Sequence, residues 1–163
     1  MNLAFDMDGV LRKLDLSMIR LNDAIKNKDS NAALQLHILT ETAPIMNPAM
    51  FALQDDEIFC ITNCSSENSA AKKKRWLKHF FGDRIKMLPT FIAPGAWGEN
   101  YYLPTAQEKL AVCYENMVDV YFDDCPDIIK HMRRIHQEDC DEMDEIPYIK
   151  FIKYGAWIEE GFE

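Results

Sequence analysis

Short apolar runs alternate along the chain with amphipathic stretches, the pattern of parallel strands joined by crossover helices. The runs Asn2–Phe5, Glu57–Thr62, Ile85–Leu88, Val118–Phe122 and Pro147–Lys153 are each short enough to be strands covered by helices. Between the later runs the spacing predicts three helices. Ser66–Phe81 pairs Trp76 with Phe80 and Leu77 with Phe81 at i, i+4, and Gly82 follows where a C-terminal stop belongs. Pro104–Asn116 places Leu110 and Cys113 or Tyr114 on an apolar stripe. Pro126–His136 opens on a proline, which costs no hydrogen bond in a first turn, and lines one face with Ile128, Ile129, Met132 and Ile135. The class that follows is α/β, with a central, mostly parallel sheet flanked by helices.

The long stretch Leu11–Asp56 between the first two strands carries two further helical patterns, Leu16–Lys26 and Asn31–Leu39, separated by the turn-rich NKDSN. It is too long for a plain crossover and too short for an independent domain, so a small helical cap over the sheet edge is expected. With 163 residues, 48% of them apolar and 28% charged, the chain suits a single domain over 1–163.

Eighteen Lys and Arg against 27 Asp and Glu give a net charge of −9, which argues against a general binder of nucleic-acid backbones. Gln137–Glu145 alone holds six acids and no Lys or Arg, and is expected to be a solvated connection. The remainder is nearly neutral, so an anionic substrate stays compatible with the composition. No apolar run approaches the roughly 18 residues that cross a bilayer, and MNLAFDMDG lacks the basic start of a signal peptide. A cytoplasmic protein with no membrane partner is expected. Cysteines 60, 64, 113, 125 and 140 form an odd set with no C-x-x-C pair, so neither zinc nor disulfides are expected.

The strongest chemical signal is at the start, where the strand Leu3–Phe5 delivers Asp6-Met7-Asp8-Gly9-Val10 at its carboxyl end, the edge where open α/β sheets gather ligands. Gly9 permits a sharp turn, so one carboxylate can face the site while the second stands beside it. The apolar strand before Thr62-Asn63 ends in a hydroxyl and an amide, and the strand before Asp123-Asp124 ends in paired acids. If these strands are parallel neighbours, Asp6, Asp8, Thr62, Asp123 and Asp124 converge on one crevice. That many carboxylates together raise one another's pKa unless a cation neutralises them, and oxygen ligands favour a hard ion such as magnesium. Magnesium keeps open positions for a phosphate, so a small phosphorylated molecule is the expected partner.

The DxDGV strand end, the threonine of the second strand and the Asp-Asp pair resemble the sequence motifs of the haloacid dehalogenase superfamily, over Leu3 to about Arg134. Asp123-Asp124-Cys125-Pro126-Asp127-Ile128 and Lys74–Gly82 look most like its 5′(3′)-deoxyribonucleotidase branch. The resemblance implies a Rossmann-like fold and a magnesium-dependent phosphomonoesterase, with a (deoxy)nucleoside monophosphate the first substrate to consider. It makes Asp6 the nucleophile, through an aspartyl-phosphate, and Asp8 the general acid and base. The metal set would be Asp6, the Asp8 carbonyl, Asp123 and Asp124. Gly9, Thr62 and the amides after Thr62, Asn63 included, would bind the phosphate. Lys109, fourteen residues before Asp123, is the preferred lysine to offset charge on nucleophile and phosphate, with Lys72, Lys73 or Lys74 the rival.

The same residues leave other readings open: a 3′-phosphatase of nucleic-acid ends, phosphoryl transfer to another acceptor, or a binding protein without turnover. Position 125 is Cys where the nucleotidase branch carries a basic residue, and Leu11–Asp56 lacks an aromatic cluster to stack a base. Asp123 and Asp124 also suit the cap of the helix at Pro126, Asp127 suits its first turn, and Lys72–Arg75 suits a solvated face. Phe91, Trp97, Tyr101 and Tyr102 lie in a segment rich in Pro and Gly, read as either a packed loop or a lid over a substrate ring. The four histidines show no ligand spacing.

Overall fold

Strand β1 (Asn2–Phe5) lies at the centre of a five-stranded sheet, pairing with β2 (Glu57–Cys64) on one side and β4 (Val120–Asp123) on the other. The computed structural model describes residues 1–12, 27–28, 43–92, 96 and 98–155. The sheet order is β3-β2-β1-β4-β5, with β3 at Ile85–Phe91 and β5 at Lys150–Lys153, and every pairing is parallel. Helices α1 (Glu67–Phe81), α2 (Glu99–Glu115) and α3 (Pro126–Glu142) connect the strands from β2 onward. This is a Rossmann-like α/β arrangement. The expected cap helices, Leu16–Lys26 and Asn31–Leu39, lie outside the described residues. The end of the insert forms a 3-10 turn at Pro48–Phe51.

Alternation along each strand sends side chains to two separate apolar layers. Ala4, Phe59, Ile61 and Tyr121 pack with Leu110 and Cys113 of α2 and Ile128, Ile129 and Met132 of α3. Leu3, Phe5, Ile58, Cys60 and Phe122 pack on the opposite face with Trp76 and Leu77 of α1. Phe5 and Phe122 stack with ring centroids 4.4 Å apart, tying the two central strands. Four of the five cysteines are buried in these layers or at their rim; Cys140 is exposed. No helix among the described residues is long and apolar enough to cross a membrane.

Several boundaries differ from the sequence pattern for identifiable reasons. Ser66 caps α1 rather than beginning it, its hydroxyl accepting from the Ser69 amide at 3.1 Å. Strand β3 continues three residues beyond Leu88 through Pro89, which an edge strand tolerates because one side of it has no ladder partner. Helix α2 begins at Glu99, with Pro104 inside it. The missing bond would fall on exposed Asn100, so the cost is borne where water can replace it. Tyr101 and Tyr102 therefore belong to a helix and not to a loop, and Trp97 lies outside the described residues. Strands β4 and β5 start two and three residues later than the apolar runs, at Val120 and Lys150.

Helix α3 runs through Glu142, so the first part of the acidic stretch is helical rather than a connection. Arg134 pairs with Glu138 and Gln137 with Asp141, each at i, i+4. His136 adds a buried tether that its spacing could not show. Its Nε2 accepts from the Ile149 amide at 3.2 Å, which leaves the proton on Nδ1, facing the Tyr114 hydroxyl at 3.0 Å. That hydroxyl donates to Asp139 at 2.8 Å. The Cys140 thiol and the Tyr148 and Phe151 rings surround the imidazole. Burial lowers the His136 pKa below its ordinary 6.5, against the opposing charge of Asp139.

The unfolded chain therefore binds the His136 proton more readily than the folded one. Its contribution is complete above about pH 6.5 and is lost as pH falls below it. In urea unfolding, wild type should exceed His136→Gln in stability by more at pH 7.5 than at pH 5.5. An equal difference at both would contradict the tether.

Candidate functional site

In the order 3-2-1-4-5 the chain reverses direction of build between β1 and β4, and ligands of open parallel sheets collect outside the strand ends at such a switch. Asp6 leaves β1 there, its amide donating to the Phe122 carbonyl at 2.8 Å, which sets it beside Asp123 at the end of β4. Strand β2 runs further: Phe5 is level with Cys60, so Thr62 and Asn63 stand above the end of β1. Beyond Asp6 the chain folds into a tight turn in which the Met7 carbonyl accepts from Val10, Leu11 and Arg12. Met7 is buried in the α1 layer, while Asp6 and Asp8 line a cavity of about 140 Å³ above the sheet.

Gly9 and Gly155 close this rim. Gly9 has φ +86°, and a Cβ there would lie 2.0 Å from Asp124 Oδ2; a Cβ at Gly155 would lie 2.1 Å from the Gly9 carbonyl oxygen. Only glycine lets the turns after β1, β4 and β5 approach so closely.

Two lysines divide the carboxylates between them. Lys109, on α2, puts Nζ 2.9 Å from Asp6 Oδ1 and 2.8 Å from Asp123 Oδ2. The Tyr121 hydroxyl also donates to Asp123 Oδ2, at 2.5 Å, and the Cys125 amide donates to Oδ1 at 2.9 Å. Burial opposes a charge on Lys109, but Asp123 and Asp6 outweigh it and hold its pKa well above the usual lysine value. Lys73, on α1, spends its three donors on Asp8 Oδ2 at 2.9 Å, Thr62 Oγ1 at 2.9 Å and the Asn63 carbonyl at 2.7 Å. Arg12 Nε bonds Asp8 Oδ1 at 2.6 Å while its guanidinium lies over the Trp76 ring. Burial alone would lift the Asp8 pKa; Lys73 and Arg12 together hold it well below the usual carboxylate range.

Among the described residues, four carboxylates, Asp6, Asp8, Asp123 and Asp124, thus face three cations, Arg12, Lys73 and Lys109. The carboxylate without a cation partner among them is Asp124, which is 1% exposed and whose Oδ2 is buried with no hydrogen-bond partner among the described residues. Burial, then the charges of Asp6 and Asp123, push the Asp124 pKa up to about 8. Burial also lifts Asp6, to about 6, against the pull of Lys109. Asp6, Asp123 and Asp124 each offer an oxygen within 4.8 Å of the others. An orphaned buried oxygen beside two more carboxylates fits a proton or a hard cation with oxygen ligands.

The cavity brings together Asp6, Asp8, Thr62, Asn63, Lys109, Asp123 and Asp124; Gly9 lies beneath Asp124, outside the lining. Lys72 and Lys74 are exposed, whereas Lys73 is buried and enters the cavity, so the basic run is only partly a solvated face. The signal was the stripe Ala70, Lys73, Trp76 and Leu77, which puts Lys73 on the buried side of α1. Arg12 was missed although it stands four residues from Asp8, because an i, i+4 pair is a local cue only once a helical turn is known. Tyr101 lines the cavity, and Thr90 and Thr105 hold the Asn63 carboxamide at 3.1 and 3.4 Å. The cap position of α3 is Cys125, so neither Asp123 nor Asp124 occupies it.

No protein-family model matches this sequence, and no curated protein matches it. Fold and site define an α/β protein with an all-parallel, Rossmann-like sheet and a buried acidic and basic cluster at its switch point.

Because the Asp124 pKa is raised in the folded state, its contribution is complete below the ordinary value of 3.8 and is lost as pH rises through about 8. Asp124→Asn carries no such charge. In cation-free buffer its thermal midpoint relative to wild type should rise between pH 5.5 and pH 8.5, checked by calorimetric scans. A constant offset would mean that Asp124 is not the uncompensated group.

Proposed function

We propose that this protein is a magnesium-dependent phosphomonoesterase of the haloacid dehalogenase type, acting on a small phosphorylated molecule. The observation that carries the reading is the shared grip of Lys109 on Asp6 and Asp123, beside the unpartnered Asp124 oxygen. Four carboxylates at one switch point are costly to bury for stability alone and are of use where an anion and a cation must meet.

Asp6 is the nucleophile. Its free carboxylate oxygen forms a bond to phosphorus as the ester P–O bond breaks, and the leaving oxygen takes a proton. Water then attacks the aspartyl-phosphate, loses a proton, and releases Asp6 and inorganic phosphate. Lys109 orients Asp6 and keeps it ionised for attack. Asp8 is the proton carrier two residues along. In the resting protein Lys73 and Arg12 keep Asp8 ionised, which suits it to accept the water's proton; to protonate the leaving oxygen Asp8 first takes up a proton, from solvent or from the monoanionic phosphate ester, once the Lys73 contact is drawn away. The Thr62 hydroxyl and the Asn63 amide face the phosphate from β2.

The side chains that would hold the cation are Asp6, Asp123 and Asp124, with the Asp8 carbonyl. When bound, magnesium supplies positive charge between the nucleophile and the phosphate oxygens. The net charge of −9 makes a mononucleotide a better first substrate than a nucleic-acid end.

Phosphate release from a panel of phosphomonoesters, nucleoside monophosphates included, should depend on magnesium and stop with EDTA. Asp6→Asn should lower the rate about a thousandfold or more. Equal release by wild type and Asp6→Asn, or indifference to EDTA, would overturn the reading.

A further inference from the structure

The amino edge of the sheet, where the strands begin, lies opposite the site and carries two unlike patches. Helix α1 descends from the carboxyl end of β2 and stops just before β3, so its last turn stands at the amino edge on the β2 and β3 side. There Phe80, Phe81, Ile58 and Ile85 join Pro48 of the 3-10 turn and Arg84 around a groove of about 250 Å³. Its surroundings stay apolar: Phe80 is exposed, as are Met50 of the turn and Leu53, whose carbonyl accepts from Arg84. Lys72, Lys74, Arg75 and Lys78 are exposed along the same helix, and no acid interrupts it after Glu67. Among the described residues Lys72, Lys74 and Arg75 have no carboxylate partner, and Lys78 has only exposed Asp83, at 3.9 Å.

Helix α3 descends in the same sense and ends at Glu142, so the segment 143–149 that leads into β5 lies at the same edge, on the β4 and β5 side. Asp141, Glu142, Asp144 and Glu145 are exposed there, and none has a cation partner among the described residues. Amid these acids stand two large side chains with apolar bodies, Met143 at 50% and Tyr148 at 77% exposure. One patch is an apolar groove flanked by cations and the other an apolar projection ringed by acids, so each supplies what the other lacks. Within one chain they cannot meet, because α1 packs on one face of the sheet and α3 on the other.

Two copies can bring them together. A two-fold axis lying in this edge, midway between the patches, sets each patch of one copy on the unlike patch of the other, so both contacts form at once and the assembly closes. The two contacts then share the roughly 1,200–2,000 Å² that a specific interface buries. The carboxyl edge, with Asp6 and Asp123, faces away from the junction and stays open.

We propose that the amino edge of the sheet is a homodimer interface, in which Met143 and Tyr148 of one copy seat in the groove beside Phe80 of its partner while the acids at 141–145 face Lys74, Arg75 and Lys78. The pairing is independent of the chemistry assigned to the site.

The test is sedimentation equilibrium of the full chain. Wild type at about 50 μM should be a dimer in about 50 mM NaCl, and about 500 mM NaCl should weaken association tenfold or more, as screening of facing charges requires. Arg75→Glu with Lys78→Glu should be monomeric under the low-salt condition, as should Glu142→Lys with Glu145→Lys, since each pair removes the attraction from both contacts. An equimolar mixture of the two variants should recover a dimer, because one contact is then wild type and the other joins the reversed charges. Met143→Gln should weaken the dimer severalfold even at high salt, where the apolar contact carries the association. A monomeric wild type, association indifferent to salt, or an unchanged dimer in Met143→Gln would overturn the proposal. So would reversal variants that are folded by circular dichroism yet stay monomeric on mixing, or species that keep growing with concentration.

Discussion

A single buried ammonium organises the carboxyl edge of this sheet. Lys109 reaches from α2 to acids on two adjacent strands, and these strands are the ones between which the topology switches. Breaking a buried pair by removing one partner costs roughly 3–5 kcal/mol, because the survivor is left charged without water. Here one side chain has two such partners, and Tyr121 and the Cys125 amide complete the bonding of Asp123. The position of α2 over the sheet and the separation of Asp6 from Asp123 are thereby set together.

Among the described residues, the same edge holds one carboxyl group more than the lysines and Arg12 pair with. Apolar residues of similar volume would generally serve stability as well or better than a buried ionic cluster. What the cluster provides is a fixed set of oxygens and ammonium groups, pre-arranged by strands and helices that are anchored in two apolar layers. Gly9 and Gly155 make the convergence possible, since a side chain at either would fill the space where three turns meet.

Much of this was legible in the sequence because the sheet is parallel and covered on both faces. Its strands read as brief, nearly continuous apolar runs, such as Leu3–Phe5 and Ile58–Ile61, and the chemistry stands at their ends. Asp6, Thr62 and Asp123 were visible for that reason. What escaped depends on contacts between distant segments. Pro104 reads as a helix start, yet α2 extends before it because the lost bond lies at an exposed carbonyl. The acidic run after His136 is solvated as it reads, but its first residues continue α3, whose last turns Tyr114 and Ile149 hold through His136 and Asp139. Lys73 looked like one member of a basic run; its burial follows from the helical phase it shares with Trp76 and Leu77.

The proposed chemistry requires that Asp6 and Asp123 serve one cation and that Asp6 bond the transferred group. A crystal structure of the protein with magnesium and beryllofluoride, a mimic of a phosphoryl group on a carboxylate, addresses both. The predicted result is beryllium attached to an Asp6 oxygen, with magnesium in bonding contact with both Asp6 and Asp123. Magnesium bound away from these acids, or a mimic attached to another residue, would contradict it.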